Sequence, residues 1–178
     1  KAKLLNIAKK TNTTNELIQI LYAHERFLFR LANSRYKEYF VLKGGLFLYS
    51  QTRFAFRPTR DADFLIRNYN NFELEVVNIF KEICSIDIQD SISFDTSNIT
   101  SDRIIEDADL NGIRISLFAY LGRSKLKLQF DLGFSDVIVP SPKYIDYPIF
   151  IESDLQSPNI LAYSIESVIA EKFEAMIK

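Results

Sequence analysis

The stretch from Phe40 to Arg67, FVLKGGLFLYSQTRFAFRPTRDADFLIR, constrains the chain more than any other. An apolar run, Tyr39 to Leu42, has the length of a strand and is stopped at once by Gly44-Gly45. A helical segment from Leu46 to Thr52 follows, then a basic loop from Arg53 to Arg60, then a second strand that opens Asp61-Ala62-Asp63. In a strand, residues two apart point the same way, so Asp61 and Asp63 share one face while Ala62 and Phe64 take the other. Two carboxylates side by side repel each other unless a cation sits between them. Mg²⁺, a hard ion that takes oxygen ligands and keeps company with phosphates, is the expected cation. The glycine pair lets backbone N–H groups approach a ligand, and the helix behind it offers its N-terminus to an anion. The stretch therefore predicts a strand–turn–helix–strand unit with a metal-binding pair beside a phosphate seat.

The flanking periods say what this unit is built into. Lys1 to Lys10 reads as a short amphipathic helix with Leu4, Leu5 and Ala8 on one side. Thr13 or Thr14 is placed to cap a second helix, about Asn15 to Asn33. Its apolar side carries Leu17, Ile18, Leu21, Phe27, Leu28 and Leu31, and its other side His24, Glu25, Arg26 and Arg30. His24, the single histidine, is expected at the surface or in a polar bridge rather than as a ligand. Phe72 to Ile83 is again helical. The period then becomes that of strands: Ile86 to Phe94, Ile113 to Tyr120 and Leu126 to Leu132 alternate, and Arg103 to Ile105 is a further short strand. Asn111-Gly112 and Gly122-Arg123-Ser124 read as hairpin turns. Pro140 to Pro148 is expected to skirt a sheet edge. Ser164 caps a last helix, IESVIAEKFEAMIK, with Ile165, Val168, Ile169 and Phe173 on its buried side. These periods predict an α/β (α+β) fold, a mixed β-sheet flanked by helices with an N-terminal helical segment. The last helical pattern is still running at Lys178 without a Gly or Pro stop, so the native chain is expected to continue.

Composition sets outer bounds. The 178 residues suit one domain, with helices over 1–36, a sheet core over 37–138 and an edge segment with the last helix over 139–178. Hydrophobic residues make up 47%, enough to fill a core, and with 15 Phe and no Trp the phenylalanines should dominate its aromatic packing. No apolar run has the length of a membrane span, and the Lys-rich start lacks the apolar centre of a signal peptide. The single cysteine, Cys84, excludes an internal disulfide and a multi-cysteine zinc site, and its apolar helical setting makes it a core thiol. A reducing cytoplasm is the expected location. A net charge of −1 excludes a globally cationic nucleic-acid binder, so any RNA contact has to come from a local patch. Arg53, Arg57, Arg60, Arg123, Lys125 and Lys127 are the candidates for it.

In-line phosphoryl chemistry on a metal calls for a third carboxylate, and Asp131 in KLKLQFDLGFSD is the candidate. On that strand Lys127, Gln129 and Asp131 share a face, while Leu126, Leu128 and Phe130 pack the other way. If this strand neighbours the Asp61 strand, all three carboxylates meet at one edge.

A glycine pair, then Asp-x-Asp at a strand start, then a later strand Asp resembles the minimal nucleotidyltransferase fold of the polymerase-beta-like superfamily. LKGGLFLYS, RPTRDADFLI, QFDLGFSD and YSIESVIAEKFEAM, in that order, resemble the AbiEii/AbiGii toxin family of nucleotidyltransferases, over roughly Phe40 to the C-terminus. Members of that family are toxins of toxin–antitoxin and phage-defence systems. The resemblance implies that Gly44 and Gly45 form the phosphate-facing turn, that Asp61 and Asp63 bind Mg²⁺, as one ion or two, and that Asp131 is the third acid. It implies that Lys172, in the Ala-Glu-Lys of the last helix, reaches a nucleotide phosphate. Lys43, Gly44, Gly45, Arg57, Thr59 and Arg60 are then the expected nucleotide-binding set. Two departures stand out. Relatives often carry Ser or Thr after the glycine pair, where this chain has Leu46, and they extend beyond the last helix to a further functional acid. The implied function is Mg²⁺-dependent transfer of a nucleotide from a nucleoside triphosphate to an acceptor such as RNA or tRNA, with a cognate antitoxin as partner and no membrane. The rivals are a weakened module that binds a nucleotide or docks an antitoxin, and a different phosphotransferase.

Overall fold

The computed structural model describes residues 1–52, 58–107, 110–135, 138–151 and 156–177. Two helices lead, α1 (Ala2–Lys10) and α2 (Asn15–Ala32). The central unit follows as β1 (Phe40–Lys43), α3 (Gly44–Gln51) and β2 (Asp61–Ile66), then α4 (Glu73–Cys84). Four strands come next: β3 (Ile92–Phe94), β4 (Thr100–Asp107), β5 (Leu110–Leu121) and β6 (Ser124–Phe134). The chain closes with β7 (Lys143–Asp146), β8 (Asn159–Ala162) and α5 (Ile165–Ile177).

These strands form one mixed sheet in the order β3-β5-β6-β2-β1-β8-β7, with β4 also paired to β5. The strand that opens with Asp61 lies between β1, antiparallel to it, and β6, parallel to it. The expected mixed sheet flanked by helices is therefore present. The alternation read along β6 holds: Leu126, Leu128, Phe130 and Leu132 are buried, while Lys125 and Lys127 are exposed. Opposite them on β5, Ile113, Ile115, Leu117 and Ala119 are buried on the same face. Helices α2 and α4 cover that face. Phe27 of α2 lies among Phe64, Phe80, Phe94 and Phe130 at ring-centroid separations of 4.5 to 6.5 Å. Cys84 is buried among them, and burial raises its thiol to about 12, as suits an inert core residue.

Several expectations change. The hydroxyl of Thr14, not Thr13, caps α2 by accepting from the Leu17 N–H at 3.3 Å. The strand expected over Ile86 to Phe94 shrinks to Ile92–Phe94. Its first part is taken by the Arg30 guanidinium, which donates to the carbonyls of Ile86 and Ile92 and grips Asp90 at 2.7 and 3.1 Å. Ser91, with φ of 63°, turns the chain there. Asn111-Gly112 is not a turn but part of β5, where Gly112 faces Ile104 so closely that a Cβ would lie 2.8 Å from it. The segment Pro140 to Pro148 does more than skirt an edge, since Lys143–Asp146 pairs with β8, an unforeseen strand lying parallel to β1. On α5 the expected buried side is wrong. Val168 is buried, but Ile165 and Ile169 are each 46% and Phe173 60% exposed. Contacts made by polar residues fix that helix: Ser164 accepts from the Ser167 N–H, Ser167 donates to the Val139 carbonyl, and Glu171 pairs with Lys43.

The polar side of α2 is the largest correction. His24, Glu25, Arg26 and Arg30 are all buried, and of the two roles expected for His24 it takes the polar bridge and not the surface. Glu25 is paired with Arg26 and accepts from the Phe150 N–H. His24 lies edge-on to Phe130 at 5.1 Å and donates from Nε2 to the Arg60 carbonyl at 3.1 Å. That carbonyl directly precedes Asp61, so a buried imidazole ties α2 to the start of β2. Burial holds His24 down at about 4, against the ordinary 6.5, so the ring is neutral at pH 7.

Gly44 has φ of +65°, and a Cβ there would fall 2.0 Å from the Asp63 Oδ2. Gly44→Ala should therefore lose about 1–2 kcal/mol to left-handed backbone alone, with more from displacing Asp63. Gly45→Ala, whose Cβ would approach Thr59 no closer than 3.1 Å, should lose less; urea unfolding ranks the two. A second expectation concerns pH. The unfolded chain protonates His24 near 6.5 and the fold resists until about 4, so this residue makes stability fall as pH drops through that window. Its full effect is about 3 kcal/mol. His24→Gln removes it, so the stability gap between wild type and variant should narrow from pH 7 to pH 4 in urea titrations. Glu25, raised to about 7 chiefly by burial, titrates in the opposite sense in both proteins and drops out of the difference.

Candidate active site

The parallel pairing of β2 with β6 sets Asp63 directly opposite Asp131, and Asp61 opposite Gln129. Carboxylate oxygens of Asp61, Asp63 and Asp131 lie within 4.8 Å of one another. Their strand neighbours Ala62, Phe64, Phe130 and Leu132 are buried on the opposite face, so the core fixes the face from which the acids project. Asp63 is raised to about 6, first by burial and then by the charges of Asp61 and Asp131. The Gly45 N–H, donating to Asp63 Oδ2 at 3.3 Å, and the charge of Lys43 work against that rise.

The remaining expected residues gather around the acids in different ways. Gly45, Pro58, Thr59, Arg60, Asp61 and Lys172 line a cleft of about 660 Å³, a size common for small-molecule sites. Lys172 is exposed at its margin. Thr59 donates its hydroxyl to Asp61. The Arg60 guanidinium pairs with Glu16 at 3.1 Å on α2 and leaves the carboxylates alone. Lys43 stands opposite Asp63 in the β1–β2 register and reaches Glu171 at 3.4 Å. The glycine pair lies against Asp63: Gly44 makes room for its carboxylate and Gly45 donates to it. Leu46 is fully buried, so the side chain after the pair belongs to the core and not to the cleft. Arg53 and Arg57 lie outside the described residues. A smaller hollow of about 190 Å³ opens on the β6 side of Asp61, lined by Ile20, Arg60, Lys127 and Gln129.

Two residues at this site escape a reading of the sequence. One is His24, which holds the backbone just before Asp61. The other is Arg114. It donates from Nε to Asp131 Oδ1 and from Nη2 to Oδ2, both at 2.8 Å. A polar residue between Ile113 and Ile115 signals the solvent face of a strand, but which acid it faces depends on strand pairing.

The donor set suits a hard divalent cation. Three oxygen ligands converge, and Asp63 is pushed toward protonation first by burial and then by its two acid neighbours, a conflict that a bound Mg²⁺ would relieve. Asp61 and Asp63 have no arginine partner among the described residues. Asp131 does.

The fold has counterparts among solved structures. The fold is similar to that of a candidate nucleotidyltransferase from H. pylori, with a TM-score of 0.57 and 17% identity over 89% of this chain and 58% of that one. It is also similar to that of JHP933 from Helicobacter pylori, with a TM-score of 0.54 and 17% identity over 89% of this chain and 56% of that one. The chain thus spans little more than half the length of either. No curated protein matches it. Residues 26–178 match the family described as the nucleotidyl transferase AbiEii toxin of type IV toxin–antitoxin systems, and the chain belongs to that family of nucleotidyltransferases.

Proposed function

We propose that the protein transfers a nucleotide from a nucleoside triphosphate to a hydroxyl of an RNA acceptor such as tRNA, in a Mg²⁺-dependent reaction, and that a cognate antitoxin restrains it. The observation that carries this reading is the convergence of three carboxylates, one of which, Asp61, lines an open cleft, inside a family of nucleotidyltransferases. Asp61, Asp63 and Asp131 would hold Mg²⁺, which when bound offsets the charge that develops on the attacking and leaving oxygens. The cleft takes the triphosphate, with Gly45 and Thr59 on its wall and Lys172 at its margin. Lys172 supplies a positive charge to a phosphate, and the half-buried Asp63 keeps the reacting end next to β2. The acceptor oxygen bonds to the α-phosphorus, the bond from that phosphorus to the bridging oxygen breaks, and pyrophosphate leaves. The acceptor proton passes to a carboxylate of the trio. Lys125 and Lys127 are exposed on the strand that carries Asp131, and with Arg123 they form the local basic surface for RNA. No helix among the described residues is long and apolar enough to cross a membrane. The proposed setting is the cytoplasm, and phage defence the proposed service.

The grip of Arg114 on both oxygens of Asp131 favours a second reading, a module that binds the nucleotide or docks an antitoxin without turnover. Labelled nucleotides separate the possibilities. Wild type with Mg²⁺, an α-labelled nucleoside triphosphate and RNA should yield labelled RNA. Asp61→Asn and Asp63→Asn should each lower labelling by at least about a thousandfold while the thermal transition persists. Calorimetric binding of the triphosphate without product would support the module instead, and transfer from a γ-labelled nucleotide would point to a phosphotransferase.

A further inference from the structure

The registers of four strand pairs place charged residues in one continuous row across the sheet. Asp102 of β4 faces Arg114 of β5, Arg114 faces Asp131 of β6, Asp131 faces Asp63 of β2, and Asp63 faces Lys43 of β1. Directly opposed residues share a face of the sheet, so the five side chains stand in line. The order of signs is minus, plus, minus, minus, plus. The one like-charged neighbour pair is Asp63 and Asp131, where the cation is expected. Arg114 has a carboxylate on either side, and in this structure its fork is closed on Asp131. Asp102, in register on the other side, is exposed and contributes to the charge felt by Arg114.

We propose that Arg114 is a positioning residue that competes with the metal for Asp131, and that Asp102 is the alternative partner that takes the guanidinium when the metal is bound. The inference rests on the metal-dependent reading above. Bidentate pairing engages both oxygens of Asp131 and balances its charge, so a cation drawing on that carboxylate competes with the fork. A guanidinium left without a partner beside a divalent ion is unfavourable, and Asp102 offers it an anion one strand away. The arrangement orients Asp131 in the absence of metal and weakens cation binding. It also makes the cation affinity depend on an exposed residue that is not itself a ligand.

The test is Mn²⁺ binding to the full chain, read from the electron paramagnetic resonance signal of free Mn²⁺. Wild type should bind Mn²⁺, and Asp61→Asn and Asp63→Asn should abolish the tight class of sites. Arg114→Gln should bind Mn²⁺ about tenfold more tightly while losing nucleotide transfer, because the competitor is gone and so is the orientation of Asp131. Asp102→Asn should weaken binding about threefold in the wild-type background and have no effect in the Arg114→Gln background. Equal weakening in both backgrounds would mean that Asp102 acts only as a remote charge, and would overturn its role as alternative partner. Unchanged or weaker binding in a folded Arg114→Gln would overturn the competition while leaving the metal-dependent reading intact. Failure of wild type to bind Mn²⁺ would remove both. Should Arg114→Gln fail to fold, Arg114→Lys, which cannot close a bidentate fork, replaces it in both backgrounds with the same expected and overturning outcomes.

Discussion

Asp63 faces Asp131 across a parallel strand pair, and much of the surrounding structure is arranged around that repulsion. Like charges directly opposite each other destabilise a sheet. Nothing about the β2–β6 pairing requires them, since the buried residues Ala62, Phe64, Phe130 and Leu132 would hold the register equally well with neutral side chains opposite. The surroundings offset the conflict in parts. A backbone N–H from Gly45 and the charge of Lys43 favour the ionised form of Asp63, and the Arg114 fork neutralises Asp131. What remains unbalanced is centred between the strands, where the proposed cation would sit.

The same repulsion explains why the face opposite the acids is so heavily built. A strand that must present two acids on one face needs its other face fixed without slippage, because a one-residue shift would bury the carboxylates. The phenylalanine cluster around Phe27 provides that anchorage. His24 adds a direct tie from α2 to the carbonyl before Asp61. Buried polar groups of this kind are costly unless paired, and Arg30 is fully engaged by Asp90 and three backbone carbonyls. Helix α2 therefore works as a polar strut inside the molecule, more than as a helix with one wet side.

What was legible in the sequence follows from which signals are local. Strand β2, the strand β1 that the glycine pair ends and the Asp-x-Asp face rest on period-2 alternation and on short-range turn chemistry, and they stand as read. Asp131 was legible because an acid that closes a polar stripe on an apolar strand is visible without knowing its neighbour. The misreadings share one cause. The burial of His24, Glu25, Arg26 and Arg30, the early arrest of the strand before Ile92, and the exposed apolar residues of α5 each depend on partners far away in sequence. Arg30 and Asp90 are sixty positions apart, and Glu25 meets Phe150 from the far end of the chain. Helical periodicity assigns charged residues to solvent by default, and only tertiary pairing overturns it. Strand β8 escapes the sequence for a related reason: Asn159–Ala162 is too short to show a period, and it is a strand because β1 offers it a parallel edge.

Arg114 belongs to neither group. Its residue type and its strand were visible, but its meaning is set by register, and register is where the chemistry of this sheet is written. A single strand shows which residues share a face; it does not show which residues share a row. The row here runs through five strands drawn from widely separated parts of the chain, and its one violation of alternating sign falls between two of the three converging acids. A run of ordinary surface ion pairs would show no such fault, since each member would sit next to an opposite charge and be worth little. Leaving one pair of anions adjacent, with an arginine on one flank and a lysine on the other, costs stability in the metal-free protein. A cation held in the gap, as proposed above, would offset that cost.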